Sequence, residues 1–217
     1  IGASSNQLAV PGQPGLYLAG EVTAHGLIRR AMEHGVEVGE AVAALAERPA
    51  SAKIRTGSEL AASSAGSSLP FGGAPQDGVV ELVIVGAGPA GLACALAARE
   101  AGVDLRLFDQ APSLGGAVAH YPRKKLVLTE PVRLPGVGRL GARSYVKEEL
   151  VELWRDLGAR AKLELEGGRT LVAIEGLAGS GGELPSAPLP RAVAGEQPRY
   201  RLTFEDESGG REVLEAN

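Results

Sequence analysis

Three glycines stand at fixed intervals in VIVGAGPAGLACALA: Gly86, Gly88 and Gly91. This G-x-G-x-x-G run lies between an apolar stretch of strand character and one of helical length, and Pro89 falls in the first helical turn, where its missing N–H costs little. Gly86 permits the tight turn, Gly88 lets the backbone approach a diphosphate, and Gly91 lets helix and strand pack closely. Pro89 and Ala90 open the helix, whose free N–H groups and partial positive charge face the phosphates. Asp109 stands 18 residues after Gly91, at the end of the next apolar run, where a carboxylate can accept hydrogen bonds from an adenosine ribose. Gln110 follows it directly. The glycine run alone is weak evidence, but with its flanking pattern and the acid it makes dinucleotide binding the expected chemistry.

Asp109 is followed by QAPSLGG, which places Gly115 and Gly116 after a five-residue spacer. This acid, spacer and diglycine arrangement resembles the two-dinucleotide-binding flavoproteins, in which the diglycine turn lets the chain pass close to FAD. The resemblance implies FAD rather than NAD, with Gly86, Gly88, Pro89, Ala90, Gly91, Asp109, Gln110, Gly115 and Gly116 binding it. Near the front of the chain, PGLYLAGEV resembles the second FAD signature of thioredoxin-reductase-like pyridine nucleotide-disulfide oxidoreductases, where a strand ends in Gly-Asp and the acid holds a ribityl hydroxyl. Gly20 and Glu21 match that pair. Glu21 is one methylene longer than aspartate, so ribityl contact and a plain surface acid both stay open. Thr23 to Gly26 lie at the start of the next helix, whose N-terminus would point towards the flavin pyrimidine ring; His25 is a proton donor there or a polar turn residue.

The run GGAVAHYPRKKLVLTEPVRLPGVGRL, followed by SYVKEELVELW, is similar to the bacillithiol-disulfide-reductase-like branch of these flavoproteins, which includes proteins with tandem reductase-like modules. The resemblance runs from about Val79 to Glu175. It implies that His120, Tyr121 and Thr129 line the flavin side, against the simpler reading of loop residues satisfying local hydrogen bonds.

The elements that must position these residues give an α/β fold: a Rossmann-like FAD-binding domain with a parallel sheet plus a small antiparallel β-meander. Leu16–Ala19 suits a short strand, and Gly26–Glu47 a helix with Leu27, Ile28, Ala31, Val38, Val42 and Leu45 at helical spacing. Gly35 and Gly39 lie four apart in it and each weakens the helix by about 1 kcal/mol, which suggests close packing or a kink. Val79–Val85 reads as a central parallel strand, the helix after it ends near Gly102, and Val103–Phe108 is the next strand. Val146, Leu150, Leu153, Trp154 and Leu157 mark one face of a helix ended by Gly158. Lys162–Glu166, Arg169–Ile174 and Arg199–Glu205 read as meander strands, with Arg211–Glu215 as a fourth.

Residues 48–76 are rich in Ser, Ala, Gly and Pro without a sustained period and divide the chain, while Gly176–Gln197 reads as a loop insertion. The division gives residues 1–47 as the closing strand and helix of one FAD-binding module, 48–76 as a linker and 77–217 as the opening of a second, incomplete module. The two FAD signatures thus occur in reversed order. A tandem protein cut into this piece explains that order. A circular permutation is the alternative, in which residues 1–47 complete the fold begun at Val79; a 29-residue connector, with a typical reach of about 30 Å, allows it.

Composition narrows the remaining classes. At 217 residues with 44% hydrophobic side chains the chain can bury a core. A formal charge of -4 and a pI near 5.5 give no broad attraction to nucleic acid or anionic lipid, and Arg123, Lys124 and Lys125 read as a solvated loop. The uncharged run Leu82–Ala98 is short for a bilayer span and is interrupted by three glycines and a proline. A single cysteine, Cys94, excludes an internal disulfide, a CxxC pair and a cysteine-based zinc cage within these residues, and its apolar neighbours suit a buried core thiol. No metal is expected. The opening IGASSNQ lacks a methionine and suggests a fragment, and no signal peptide is visible, which favours the cytoplasm.

The function implied is a flavoprotein oxidoreductase taking hydride from NAD(P)H onto FAD and passing electrons to a small-molecule or protein acceptor, with a homodimer compatible. No residue is assigned to substrate turnover. A non-catalytic dinucleotide-binding or electron-transfer scaffold is the alternative from another class, and an NAD-only dehydrogenase a third.

Overall fold

The computed structural model describes residues 8–23, 27–45, 79–127, 130–140, 144–177 and 200–216. The connector at 48–76 and most of the loop at 176–197 lie outside them. Along the chain, a 3-10 turn at Gly20–Thr23 precedes helix α1 (Ile28–Leu45). Then come β1 (Val79–Val80), β2 (Leu82–Val85), α2 (Pro89–Glu100), β3 (Leu105–Asp109) and the single turn α3 (Gly116–Ala119). Short strands β4 (Leu126–Val127), β5 (Val132–Leu134), β6 (Gly138–Leu140) and β7 (Tyr145–Val146) lead into α4 (Lys147–Arg160). Strands β8 (Leu165–Gly167), β9 (Arg169–Gly176), β10 (Tyr200–Asp206) and β11 (Arg211–Ala216) follow.

Side chains alternate across a strand, and here that alternation builds three layers. Strands β2, β3 and β8 form a parallel sheet in that order. Ile84 and Leu107 point to one face, into a core with Val38 of α1 and Cys94 and Ala95 of α2. Val83 and Phe108 point to the other, where Tyr200, Leu202 and Phe204 of the antiparallel meander β9-β10-β11 cover them. The rings of Phe108 and Phe204 stack with centroids 4.1 Å apart. Arg106 lies over Phe108 and ties the layers by ion pairs to Glu166 of β8 and Glu212 of β11. The fold is thus the expected Rossmann-like α/β arrangement with an added meander. A third cluster gathers Trp154 and Leu150 of α4, Leu92 and Leu96 of α2, and Val127, Val132, Leu134 and Leu140 of the short strands. Among the described residues no helix is long and apolar enough to cross a membrane.

The two glycines of α1 are explained by α2. A Cβ on Gly35 would stand 2.1 Å from the carbonyl oxygen of Ala90, and one on Gly39 2.8 Å from the carbonyl oxygen of Cys94. The helices therefore meet backbone to backbone, and the apolar stripe of α1 is buried on the domain begun at Val79 within this same chain.

Several expected elements differ. Leu16–Ala19 is no sheet strand: it is the return arm of a loop in which Val10 N–H donates to Leu16 O and Leu18 N–H to Leu8 O, with one bridge between Ala9 and Tyr17. The run Val79–Val85 is two strands. It bends at Glu81, whose carboxylate accepts the Asp104 N–H at 2.7 Å, so that β1 pairs with β11 and β2 with β3. Of the segment expected at Lys162–Glu166 as a meander strand, only Leu165 and Glu166 are strand; they fall in β8, which belongs to the parallel sheet. Helix α4 passes through Gly158 and ends at Arg160. Its cap is a Schellman motif, Leu163 N–H to Gly158 O and Lys162 N–H to Ala159 O, with Lys162 in the left-handed region at φ 52°. Helix α2 closes in the same way on Gly102, as the sequence suggests.

Candidate functional site

The glycine loop starts where β2 stops. Gly86 turns at φ 104° and its N–H donates to Phe108 O at 2.7 Å; Gly88 is the extended N-cap of α2, with Pro89 next. The first bond inside the helix runs from Leu92 N–H to Gly88 O. The amides before it keep their donors turned to the loop side, which gives this end its attraction for anions. A Cβ on Gly91 would lie 1.7 Å from Gly86 O, so no other residue lets the helix leave the strand at this angle.

The diglycine turn closes over this loop. Gly115 N–H donates to Ala87 O at 2.9 Å. Gly116, at φ 51°, comes so near that a Cβ on it would stand 2.8 Å from the Cα of Gly88. Asp109 locks the same region from β3: its Oδ2 accepts the Ala87 N–H at 2.5 Å and its Oδ1 accepts the Ala111 N–H at 2.7 Å.

The third part comes from the front of the chain. Gly20 is buried at φ 84°, and a Cβ on it would meet the Cβ of Ala90 at 2.9 Å. The Thr23 hydroxyl donates to Gly20 O at 2.6 Å and holds the turn on which Glu21 stands. Leu27, Ile28 and Ala31 bring the first turn of α1 to the same place.

These parts border one cleft of about 760 Å³. Gly20, Glu21, Gly86, Gly88, Pro89, Ala90, Gly91, Asp109, Gln110 and Gly116 all line it, together with His120 and Tyr121. The ring of Tyr121 carries Lys125 Nζ 3.9 Å above its centroid. Gly115 is the one expected cofactor residue that does not line the cleft; it lies behind it against Ala119 and Val151. His25 and Thr129 lie outside the described residues. Sequence reasoning missed the apolar lining of Val22, Leu27, Val85 and Val118. Three of these are exposed large hydrophobics at 67%, 64% and 46%, for Val22, Leu27 and Val85 in turn, and an apolar residue on each side of a glycine signature was the available signal.

The lone thiol takes no part. Cys94 is buried between the two helices, and burial pushes its pKa up to about 12, so it is an un-ionised core side chain at neutral pH.

Residues 84–157 match the family model described as an NAD(P)-binding Rossmann-like domain. No curated protein matches the chain. Solved structures similar to it include a bacillithiol disulfide reductase from Bacillus cereus, 15% identical over 63% of this chain and 37% of that one, with a TM-score of 0.48. A flavin-containing monooxygenase from Stenotrophomonas maltophilia is 16% identical over 64% and 36%, with a TM-score of 0.44. An ornithine hydroxylase from Pseudomonas aeruginosa is 13% identical over 64% and 37%, with a TM-score of 0.44. The chain thus spans little more than a third of the length of each of these.

Proposed function

We propose that this chain is an FAD-binding oxidoreductase module that passes electrons from NAD(P)H through the flavin to an acceptor. The observation that carries the reading is the meeting of three separate signatures on one cleft: the glycine loop, the diglycine turn and the Gly20–Glu21 turn. The cleft volume lies within the range of roughly 300–1,000 Å³ usual for small-molecule and cofactor sites.

The residues present fit the group. The α2 N-terminus and the bare backbone of Gly88 would take the diphosphate, since a side chain at Gly116 would collide with Gly88 and narrow the passage. Val22, Leu27, Ile28 and Tyr121 give the cleft apolar lining suited to a flat heteroaromatic ring, and Glu21, which also lines it, would serve a ribityl hydroxyl. When bound, the flavin supplies the hydride and electron chemistry; the chain binds, orients and desolvates it. Cys94 is too deeply placed for thiol relay, which leaves the acceptor to another surface or another segment. The packing of α1 on α2 supports the permuted arrangement, in which residues 1–47 complete the FAD fold begun at Val79, over two separate modules divided at 48–76.

A second reading places NAD(P) itself in this cleft, favoured by the family description over residues 84–157. Purified protein decides between them. The flavin reading expects a bound yellow chromophore that NADH or NADPH bleaches anaerobically. A flavin that resists both leaves a scaffold, and a colourless protein that binds NAD(P) tightly supports the second reading.

A further inference from the structure

The buried polar or charged side chains among the described residues are Asp109 and His34, and His34 is only 2% exposed. It lies on α1 directly before Gly35, where the backbones of α1 and α2 meet. An imidazole withdrawn from water costs free energy unless its nitrogens are bonded. Its Nδ1 stands 3.4 Å from the Thr23 hydroxyl, and that hydroxyl lies 2.6 Å from Gly20 O. The two distances assign the protons. Oxygens 2.6 Å apart need a hydrogen between them and a carbonyl carries none, so the single Thr23 proton goes to Gly20 O. The hydroxyl then offers His34 only lone pairs, and Nδ1 must carry a proton and donate it across a rather long bond. Gly20 is seated between the helices: a Cβ on it would stand 2.9 Å from the Cβ of Ala90 and 3.7 Å from that of Ala31. Sterics thus place the turn, and the chain from His34 through Thr23 to Gly20 O orients it. Glu21 and Val22, which line the cleft, belong to the same turn.

We propose that His34 is a positioning residue for the cofactor: with its proton on Nδ1 it donates to Thr23, which fixes the Gly20 carbonyl and with it the placement of Glu21 and Val22 on the cleft. What the turn does for a ligand rests on the flavin reading; the chain of hydrogen bonds does not. A buried side chain that touches no ligand thereby sets how the ribityl and ring part of the cofactor is held, while the diphosphate stays with the α2 N-terminus.

The test uses the full chain, first without ligand and then titrated with FAD and with ADP, which has the adenosine and diphosphate but neither ribityl chain nor ring. Ring-nitrogen NMR of the ligand-free wild type, with His34 assigned by its loss in His34→Asn, is expected to show the proton on Nδ1; a proton on Nε2 alone overturns the proposal. His34→Leu, of similar bulk, is expected to weaken FAD about fivefold, the size of one hydrogen bond, and ADP by less than about twofold. His34→Asn, whose amide nitrogen lies as many bonds from Cβ as Nδ1 does, is expected to bring FAD back to within about twofold of wild type. His34→Gln, whose nitrogen lies one bond further, is not. Thr23→Val, in the half-buried turn, is expected to give the same loss confined to FAD, and adding His34→Leu to it less than about twofold more, since both break one chain; it also serves should His34→Leu not fold. FAD affinity unchanged in Thr23→Val, FAD and ADP weakened alike, or rescue by Gln as good as by Asn overturns the proposal. Wild-type protein that takes no FAD while His34 keeps its proton on Nδ1 defeats the flavin reading and leaves the bonded chain standing.

Discussion

Replacing Gly35 with alanine would add a methyl carbon 2.1 Å from Ala90 O and 2.9 Å from both Ala90 C and Cys94 N. All three are backbone atoms of α2, so no side chain can swing aside. Relief requires α1 to retreat by more than about 1 Å, and a radial gap of that size forfeits a quarter to a half of each dispersion contact along the interface. Helix propensity acts in the opposite direction, since Gly→Ala inside a helix gains about 1 kcal/mol. Overpacking of a tight core costs about 1–3 kcal/mol, and a clash against backbone lies at the upper end, so we expect a net loss of about 1–2 kcal/mol. For a chain of this size that lowers the melting midpoint by roughly 2–8 °C. The retreat also carries Leu27, Ile28 and the Gly20–Glu21 turn away from the glycine loop, so FAD affinity should fall in parallel. Urea and thermal denaturation of Gly35→Ala, beside Ala44→Gly on the exposed face of the same helix, provide the assay. A Gly35→Ala protein stabilised by about 1 kcal/mol, as at an exposed helix position, would refute the docking of α1 on α2.

Three further outcomes follow from the same geometry. Lys162→Gly should stabilise the protein by about 0.5–1 kcal/mol, because glycine occupies the left-handed cap of α4 without the Cβ penalty; an unchanged denaturation midpoint would contradict that cap. Arg106→Met should cost about 1–2 kcal/mol by leaving Glu166 and Glu212 without their shared cation between the two sheets, measured by urea unfolding, with Glu212→Gln costing less. Burial raises the Cys94 pKa from 9.0 to about 12, so above pH 9 the unfolded thiol releases its proton while the folded one keeps it. The unfolded state then binds fewer protons, and stability should fall as pH rises from 9 towards 12, a slope that Cys94→Ala removes.

The glycine loop was readable because its geometry requires absent side chains, and absence is visible at fixed positions in a sequence. The same holds for Gly35 and Gly39, whose helix-weakening presence signalled the contact with α2. What escaped depended on partners distant in the chain. Nothing local in Val79–Val85 shows that β1 leaves for β11, more than a hundred residues away, while β2 stays with β3. Leu165–Gly167 has strand character in either sheet, and only its parallel register with β3 decides which. Leu16–Ala19 has the apolar run of a strand but spends its backbone bonds on Leu8 and Val10, which precede it closely. A lysine at the cap of α4 runs against residue preference, so the helix outlasted the glycine expected to stop it. At the site, sequence placed nearly every residue of the cleft, but it could not reveal that the Asp109 carboxylate turns inward to Ala87 and Ala111.

The central claim is that the backbone between Gly86 and Gly91 receives the diphosphate of FAD beside the diglycine turn. Titration of purified chain with FAD, read by flavin fluorescence against a Gly88→Glu variant of matched secondary structure, tests it most directly. The account predicts one FAD per wild-type chain and at least about a tenfold loss of affinity in the variant, whose carboxylate would occupy and repel the phosphate position. Equal stoichiometry and affinity in the two proteins would contradict it.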